Sequence, residues 1–343
     1  MTEVSASERV DVSFHPSILT IDVEAETNRI VEHLRDSVIR RLSRQGAVVG
    51  VSGGIDSSVA LALSVRALGP DRVVALILQE KESSPENPAL ARELCRGLGT
   101  TPVAEDITAA LEGFGCYRRR DEAIREVIPE YDSTYRSKIT LPANLLDSDA
   151  LGLFSVTVIS PEGDEQTKRL PLHPYLRIVA ATNFKQRTRM AMLYNHAESR
   201  NYAVIGTANK NERDQGFFVK YGDGGADVDA IAHLYKTQVY QLATYLGVPD
   251  SIQRRTPTTD TYSAPTTEEE FFFRLPFETM DLLWYAEEHQ VPIECAAEAM
   301  RLTTQQVARA YREFAHRRRS TDYLRAHVLA LSAGDGVSIQ GSP

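Results

Sequence analysis

With 343 residues, 42% of them hydrophobic and 25% charged, the chain has an ordinary globular make-up and room for one large α/β domain. Its 38 Lys and Arg against 47 Asp and Glu leave a formal charge of -9, so no broad nucleic-acid footprint is present and small-molecule partners are expected. No apolar run is long enough to span a bilayer and no leader-like stretch opens the chain, while Cys95, Cys116 and Cys295 lack CxxC spacing; a soluble, cytoplasmic protein with reduced thiols is expected, with no membrane partner, disulfide framework or zinc ribbon.

Residues 1–20 are polar and aperiodic and read as a flexible arm. Over 21–42, Ile30, Val31, Leu34, Val38 and Leu42 recur near helical spacing, which predicts a helix laid on one sheet face. The apolar segments 47–51, 72–78 and 202–205 suit strands buried on both faces. Between them, 57–68 and 87–97 read as helices, the second with Asn87 as its cap and Pro88 in its first turn. This alternation predicts a doubly wound, Rossmann-like, mainly parallel sheet with helices on both faces, and such sheets bind ligands beyond the carboxyl ends of their strands.

Two stretches break the rhythm. Residues 117–177 read as an insertion containing a hairpin, because "FSVTVISPEGDEQTKRLPL" places two strand-like runs around Pro161, Glu162, Gly163 and Asp164. "RRTPTTDTYSAPTTEEE" opens a segment, 254–273, that is rich in Thr and Pro and is expected to be an exposed loop and a candidate lid. The chain then turns helical: "TTQQVARAYREF" offers Thr303 and Gln306 as a capping box, with Val307, Ala310, Tyr311 and Phe314 on one face. A single domain over 21–330 is expected, with 331–343 as a disordered tail.

The densest chemistry lies in "VVGVSGGIDSSVALAL". A buried strand ending in Ser52, Gly53 and Gly54 and turning straight into a helix gathers backbone N–H groups and the positive end of the helix dipole at one point, an anion cradle to which Ser52, Ser57 and Ser58 add hydroxyls. Asp56 has the wrong charge for such a cradle unless a cation accompanies the anion; Mg2+ bridging carboxylate and pyrophosphate resolves the conflict. A Walker A loop is excluded, since no GxxxxGK[ST] occurs. SGGxDS after a buried strand resembles instead the loop of the ATP pyrophosphatase superfamily, which cleaves ATP between its α and β phosphates. A second constellation follows the strand at 202–205. There Glu212 is placed to share the metal with Asp56, Asp223 and Asp227 flank a sharply bent Gly224-Gly225 turn, and Lys220 and Lys236 bracket it with positive charge.

Taken in order, "VSGGIDSSVALA", "NFKQRTRM", "GTANKNE", "GFFVKYGDGGAD", "LYKTQVYQLATYLGVP" and "PTTD" resemble the ammonia-dependent NAD synthetases across roughly 21–323. The resemblance implies that the nicotinate carboxylate of deamido-NAD attacks the α-phosphate of ATP, releasing pyrophosphate, and that ammonia then displaces AMP from the acyl-adenylate. It assigns Ser52, Gly53, Gly54, Asp56 and Ser57 to the pyrophosphate, Asp56 and Glu212 to Mg2+, Thr207 to the nucleotide, and Ser83 and Ser84 to the adenine end. Asn183, Arg187 and Arg189 match an NxxxRxR motif for phosphates and ribose, with Lys236 acting likewise. Phe217 and Phe218 would wall the pyridine ring, and Asp223 would hold ammonium and remove its proton. Asp56, Asp223, Lys220 and Lys236 are thus the catalytic candidates, and Asp227, His316 and Arg317 join the substrate-binding set. The resemblance further implies a homodimer, and free or partner-delivered ammonia, because no amidase domain precedes residue 21. Three departures stand out: the long 117–177 segment, Glu270-Phe271-Phe272-Phe273 where the family has a polar turn, and His316-Arg317-Arg318 in place of His-Lys-Arg. They leave open the same adenylation and amidation chemistry on another carboxylic acid in a specialised pathway. A nucleotide-binding module without catalysis is a third reading, against which Asp56, Glu212 and Asp223 speak.

Overall fold

The computed structural model describes residues 14–141, 144–147, 153–259 and 261–329. Helix and strand alternate at first, through α1 (Val23–Arg35), β1 (Ala47–Gly50), α2 (Ile55–Leu68), β2 (Val73–Gln79), α3 (Asn87–Leu98), β3 (Val103–Asp106) and α4 (Thr108–Gly113). Next come α5 (Cys116–Arg125), the strands β4 (Arg136–Thr140), β5 (Ser155–Ile159) and β6 (Glu165–Arg169), and the long α6 (Leu172–Glu198). The chain returns through β7 (Ala203–Gly206), α7 (Lys210–Gln215) and β8 (Val228–Asp229). It closes with α8 (Lys236–Tyr245), α9 (Asp250–Gln253), α10 (Phe277–Glu288), α11 (Ile293–Met300), α12 (Thr304–Ser320) and α13 (Asp322–Arg325).

Among the described residues the main sheet is parallel, in the order β3-β2-β1-β7-β8. Its inner strands β1, β2 and β7 are largely apolar on both sides because both sides are covered, whereas the edge strand β3 alternates half-buried and exposed residues and ends in Glu105 and Asp106. Ala47 and Val49 of β1 face Ile30 and Leu34 of α1, Val59 and Leu63 of α2, and Val239 and Leu242 of α8. Val48, with Leu76 and Val204, faces Met190, Leu193 and Ala197 of α6. Strand order reverses between β1 and β7, and at such a switch point the carboxyl ends leave a crevice between diverging connections. The doubly wound parallel sheet expected from the sequence is therefore present.

The predicted hairpin is β5–β6, paired antiparallel from Ser155↔Arg169 to Ile159↔Glu165. It belongs to a three-stranded sheet whose first member, β4, was not anticipated. Three local expectations are corrected. Asn87 does not cap α3: Glu86 holds the cap position without a side-chain bond, and buried Asn87 is the first helical residue, its Oδ1 accepting from Arg255 Nη1 at 2.5 Å. The 254–273 segment is not an exposed loop, since Tyr262, Ala264, Thr266, Glu268 and Phe273 are buried. Its polar backbone is satisfied internally instead, for example by Thr259 N–H to Thr266 O at 3.1 Å and Glu268 N–H to Pro257 O at 3.1 Å. At the amino end, Pro16–Leu19 form a 3-10 turn with Leu19 buried, its carbonyl accepting from Gln238 and Gln241. The rest of the predicted arm up to residue 13 and the predicted 331–343 tail lie outside the described residues.

Candidate active site

A cleft of about 780 Å³ opens beyond the carboxyl ends of β1, β2 and β7, in the range of cofactor and substrate sites. At its floor β1 runs into α2. No side chain caps α2, so its first N–H groups are left for a ligand, and the dipole favours an anion there. Ser52 Oγ holds the loop by accepting from Gly54 N–H at 3.2 Å, and Ser57 and Ser58 donate to Gly54 O at 3.0 and 2.7 Å. Ser52, Gly54, Asp56 and Ser57 line the cleft. Gly53 takes φ +78°, and a Cβ there would meet Asn87 O of α3 at 3.0 Å, so the bend of the loop calls for glycine at this position.

Asp56 reaches across the switch point. Asn209 Nδ2 donates to its Oδ1 at 3.0 Å and Lys236 Nζ to its Oδ2 at 2.5 Å. Asn209 also forms a capping box with Glu212, which fixes the start of α7 directly after β7. Glu268, which sequence reasoning missed, completes the group, its Oε2 lying 3.3 Å from Lys236 Nζ. Carboxylate oxygens of Asp56, Glu212 and Glu268 all lie within 4.8 Å of one another. Burial and the neighbouring Asp56 hold the Glu212 carboxyl well above its ordinary value, and burial raises Glu268 too. For the Lys236 ammonium burial acts downward, but Asp56, Glu268 and Glu212 override it and keep it well above its ordinary value. An all-oxygen donor set of three carboxylates against one ammonium fits a hard divalent cation, which would relieve the crowding of like charges.

Helix α6 forms another wall, with Asn183, Gln186, Arg187 and Arg189 on the cleft. Thr207, Phe217, Phe218, Lys220, Asp223, His316 and Arg317 line it as well. Asp223 sits in a bent loop where its Oδ1 accepts from Val219 N–H at 2.8 Å; burial pushes its carboxyl up to about 6. Gly224 is obligatory by close approach, because a Cβ there would fall 2.3 Å from the Phe218 ring. Phe217 stacks on Phe272 at 4.8 Å between centroids, and the Arg317 guanidinium lies 4.7 Å over the Phe272 ring. Arg317 is buried, which lowers its pKa; it also bonds Glu313 and Gln215.

Three more of the sequence-predicted residues stand elsewhere. Asp227 is exposed and outside the cleft wall: its carboxylate accepts from Val204 N–H at 2.8 Å and Tyr194 O–H at 2.9 Å, tying the loop to the sheet edge. Lys220 lines the cleft, but its ammonium donates to Tyr323 O and Ala326 O at 2.8 and 2.9 Å and so tethers the chain end. Ser84 is set back from the cleft; Ser83 lines it and accepts from Arg189 at 3.5 Å. A buried network also escaped the sequence. Lys185 Nζ bonds Glu80, Glu82 and Thr261 O at 2.8, 2.7 and 2.8 Å, and Arg120 pairs with Glu82 at 2.6 Å. Its signal was the inward helical spacing of the buried polar residues Thr182, Lys185 and Thr188.

The chain is similar to known proteins in sequence and in fold. The chain is 46% identical over 303 residues to the NH(3)-dependent NAD(+) synthetase of Rhizobium rhizogenes, covering 88% of this chain and 91% of that one. It is 48% identical over 311 residues to the protein of the same name from Rhizobium meliloti, covering 91% and 92%. Among solved structures, an NH3-dependent NAD synthetase from Campylobacter jejuni superposes with a TM-score of 0.59 at 22% identity, covering 91% of this chain and all (100%) of that one. An NMN synthetase from Francisella tularensis gives a TM-score of 0.57 at 23% identity, covering 91% and 99%; at such identities the two structures speak for the fold. The NAD synthase family profile matches residues 26–129 and 159–321, which hold both the phosphate-cradle loop and the Asp223 loop. On that match, and with those two loops facing each other across one cleft, the chain belongs to the NAD synthase family.

Proposed function

We propose that this cleft carries out the ATP-dependent amidation of deamido-NAD to NAD, with ammonia as the nitrogen source and AMP and pyrophosphate as the other products. The observation that carries the reading is the pairing, across the switch point, of an uncapped helix N-terminus and its carboxylate cluster with the half-buried acid Asp223, whose carboxyl is pushed up to about 6 by desolvation. In the first step a carboxylate oxygen of the nicotinate attacks the α-phosphorus and the bond to the bridging oxygen of the β-phosphate breaks. The α2 N-terminus receives the growing negative charge of the pyrophosphate, while Arg187 and Arg189, which line the cleft, would bind phosphate oxygens. Asp56 and Glu212, with Glu268, would hold Mg2+, which supplies charge neutralisation at the phosphates. In the second step ammonia attacks the acyl carbon, the acyl–phosphate C–O bond breaks, AMP leaves, and one proton is lost. Asp223, once ionised, draws ammonium to the cleft and takes its proton, leaving the ammonia that attacks; the proton lost as the amide forms passes to water.

The same reading includes a homodimer, supported by the resemblance and by Leu172 and Leu176 standing 71% and 53% exposed on α6. A cytoplasmic location also belongs to it; no helix among the described residues is long and apolar enough to cross a membrane. The test is pyrophosphate release from ATP and Mg2+ with deamido-NAD, with and without ammonium, while NAD is followed by mass spectrometry. NAD formation that needs all four components is the expected result. ATP binding without turnover of deamido-NAD would move the search to another carboxylic acid.

A further inference from the structure

We infer that β4 is a positioning strand for the cleft: its free edge grips the 261–274 segment on both sides of Glu268 and so sets that carboxylate against Lys236 and Asp56. The inference rests on the reading that the carboxylate cluster serves adenylation. Among the described residues β4 ends its sheet, so one row of its backbone groups has no strand partner there, and an open edge takes up extended backbone that lies beside it. Here the lid segment takes up that edge at Ser137 and, one residue past the strand, at Leu141. Ser137 O accepts from Ala264 N–H at 3.1 Å, Ser137 N–H donates to Ser263 Oγ at 2.9 Å, and Leu141 N–H donates to Glu270 O at 3.1 Å. Behind these bonds Ile139, Val156 and Val158 pack in one cluster with Tyr262, with Phe271 against it. Two anchors before Glu268 and one after it leave its backbone little freedom, and its own N–H is bonded to Pro257 O. The family match is interrupted at residues 130–158, so β4 stands outside it although the segment that it grips stands within.

The test combines a local measurement with a double-mutant cycle on the full-length protein. Ser263→Ala leaves the Ser137 N–H without its acceptor, and Leu141→Pro deletes the donor to Glu270 O on the other side; either serves should the other fail to fold. Each is expected to speed amide hydrogen exchange over residues 264–271 by about tenfold, the scale of one orphaned buried donor, while protection in β1 and β7 stays unchanged. Turnover should fall by a similar factor, in kcat more than in the KM for deamido-NAD, and Glu268→Gln combined with either variant should be no slower than Glu268→Gln alone. Unchanged exchange over 264–271, or losses that multiply in the double variant, would overturn the inference. Should the wild type make no NAD, the proposed reaction fails and the exchange measurement alone decides for or against β4.

Discussion

Asp56 and Asp223 face one cleft in opposite settings, one against an ammonium and the other in a bent loop whose burial favours the neutral acid. Replacing Asp56 with Ala should lower pyrophosphate release by about a hundredfold or more, because the cluster loses the group that faces both Lys236 and the phosphate loop. Asp223→Asn should leave pyrophosphate release intact and slow amide formation. In the wild type the pH profile of the amide step should bend near 6, as the carboxyl ionises, and in the variant that bend should vanish, leaving only the rise that follows the free-ammonia fraction. Stability runs the other way. A carboxyl raised from 3.8 to about 6 by folding binds its proton more tightly in the native state, so the stabilising contribution present at low pH is lost as pH climbs through that window. Asp223→Asn should therefore melt above the wild type at pH 7, by up to about 3 kcal/mol, and level with it near pH 3.5. The sequence showed Asp56, Glu212 and Asp223 because each sits in a motif of its own. It hid Glu268 within three consecutive glutamates, where nothing local says which one turns inward, and it offered Asp227 for substrate binding although the sheet edge claims it.

Between elements, the tie formed by Lys185 joins the end of β2 to α6 and to the lid segment at Thr261. Lys185 and Glu80 have no side-chain exposure at all (0%), so Lys185→Met would strand a buried carboxylate. A loss of about 3–5 kcal/mol in a urea unfolding titration is expected, part of it recovered when Glu80→Gln is added. The inner strands β1, β2 and β7 of the main sheet were legible because burial on both faces leaves unbroken apolar runs, as in Ala47 to Val49, whereas the edge strands β3, with Glu105 and Asp106, and the two-residue β8 carry no such run and were missed. β4 was not, because Arg136-Ser137-Lys138-Ile139-Thr140 is polar enough to read as loop and owes its place to β5 and the lid segment. Asn87 misled for a related reason: its amide is held by Arg255, from a distant part of the chain that no capping rule can see.

For the whole molecule, the crevice exists only because β1 pairs with β7, Ala47 to Ala203 through Val49 to Ile205, and this pairing spans the chain's long excursion through β2, β3 and the second sheet. The Asn209 to Asp56 hydrogen bond that seals the switch point joins residues 153 apart. Contacts so distant in sequence form late, since the entropy of closing a large loop is lost before the contact rewards it. On dilution from denaturant, helical circular dichroism from α1, α2 and α6 should return first, with the capacity to bind ATP following in a slower phase; simultaneous recovery of both signals would contradict this order. The nascent chain, too, acquires its phosphate loop and second carboxylate as separate pieces, and remains unable to trap nucleotide until synthesis has passed β7 and α7.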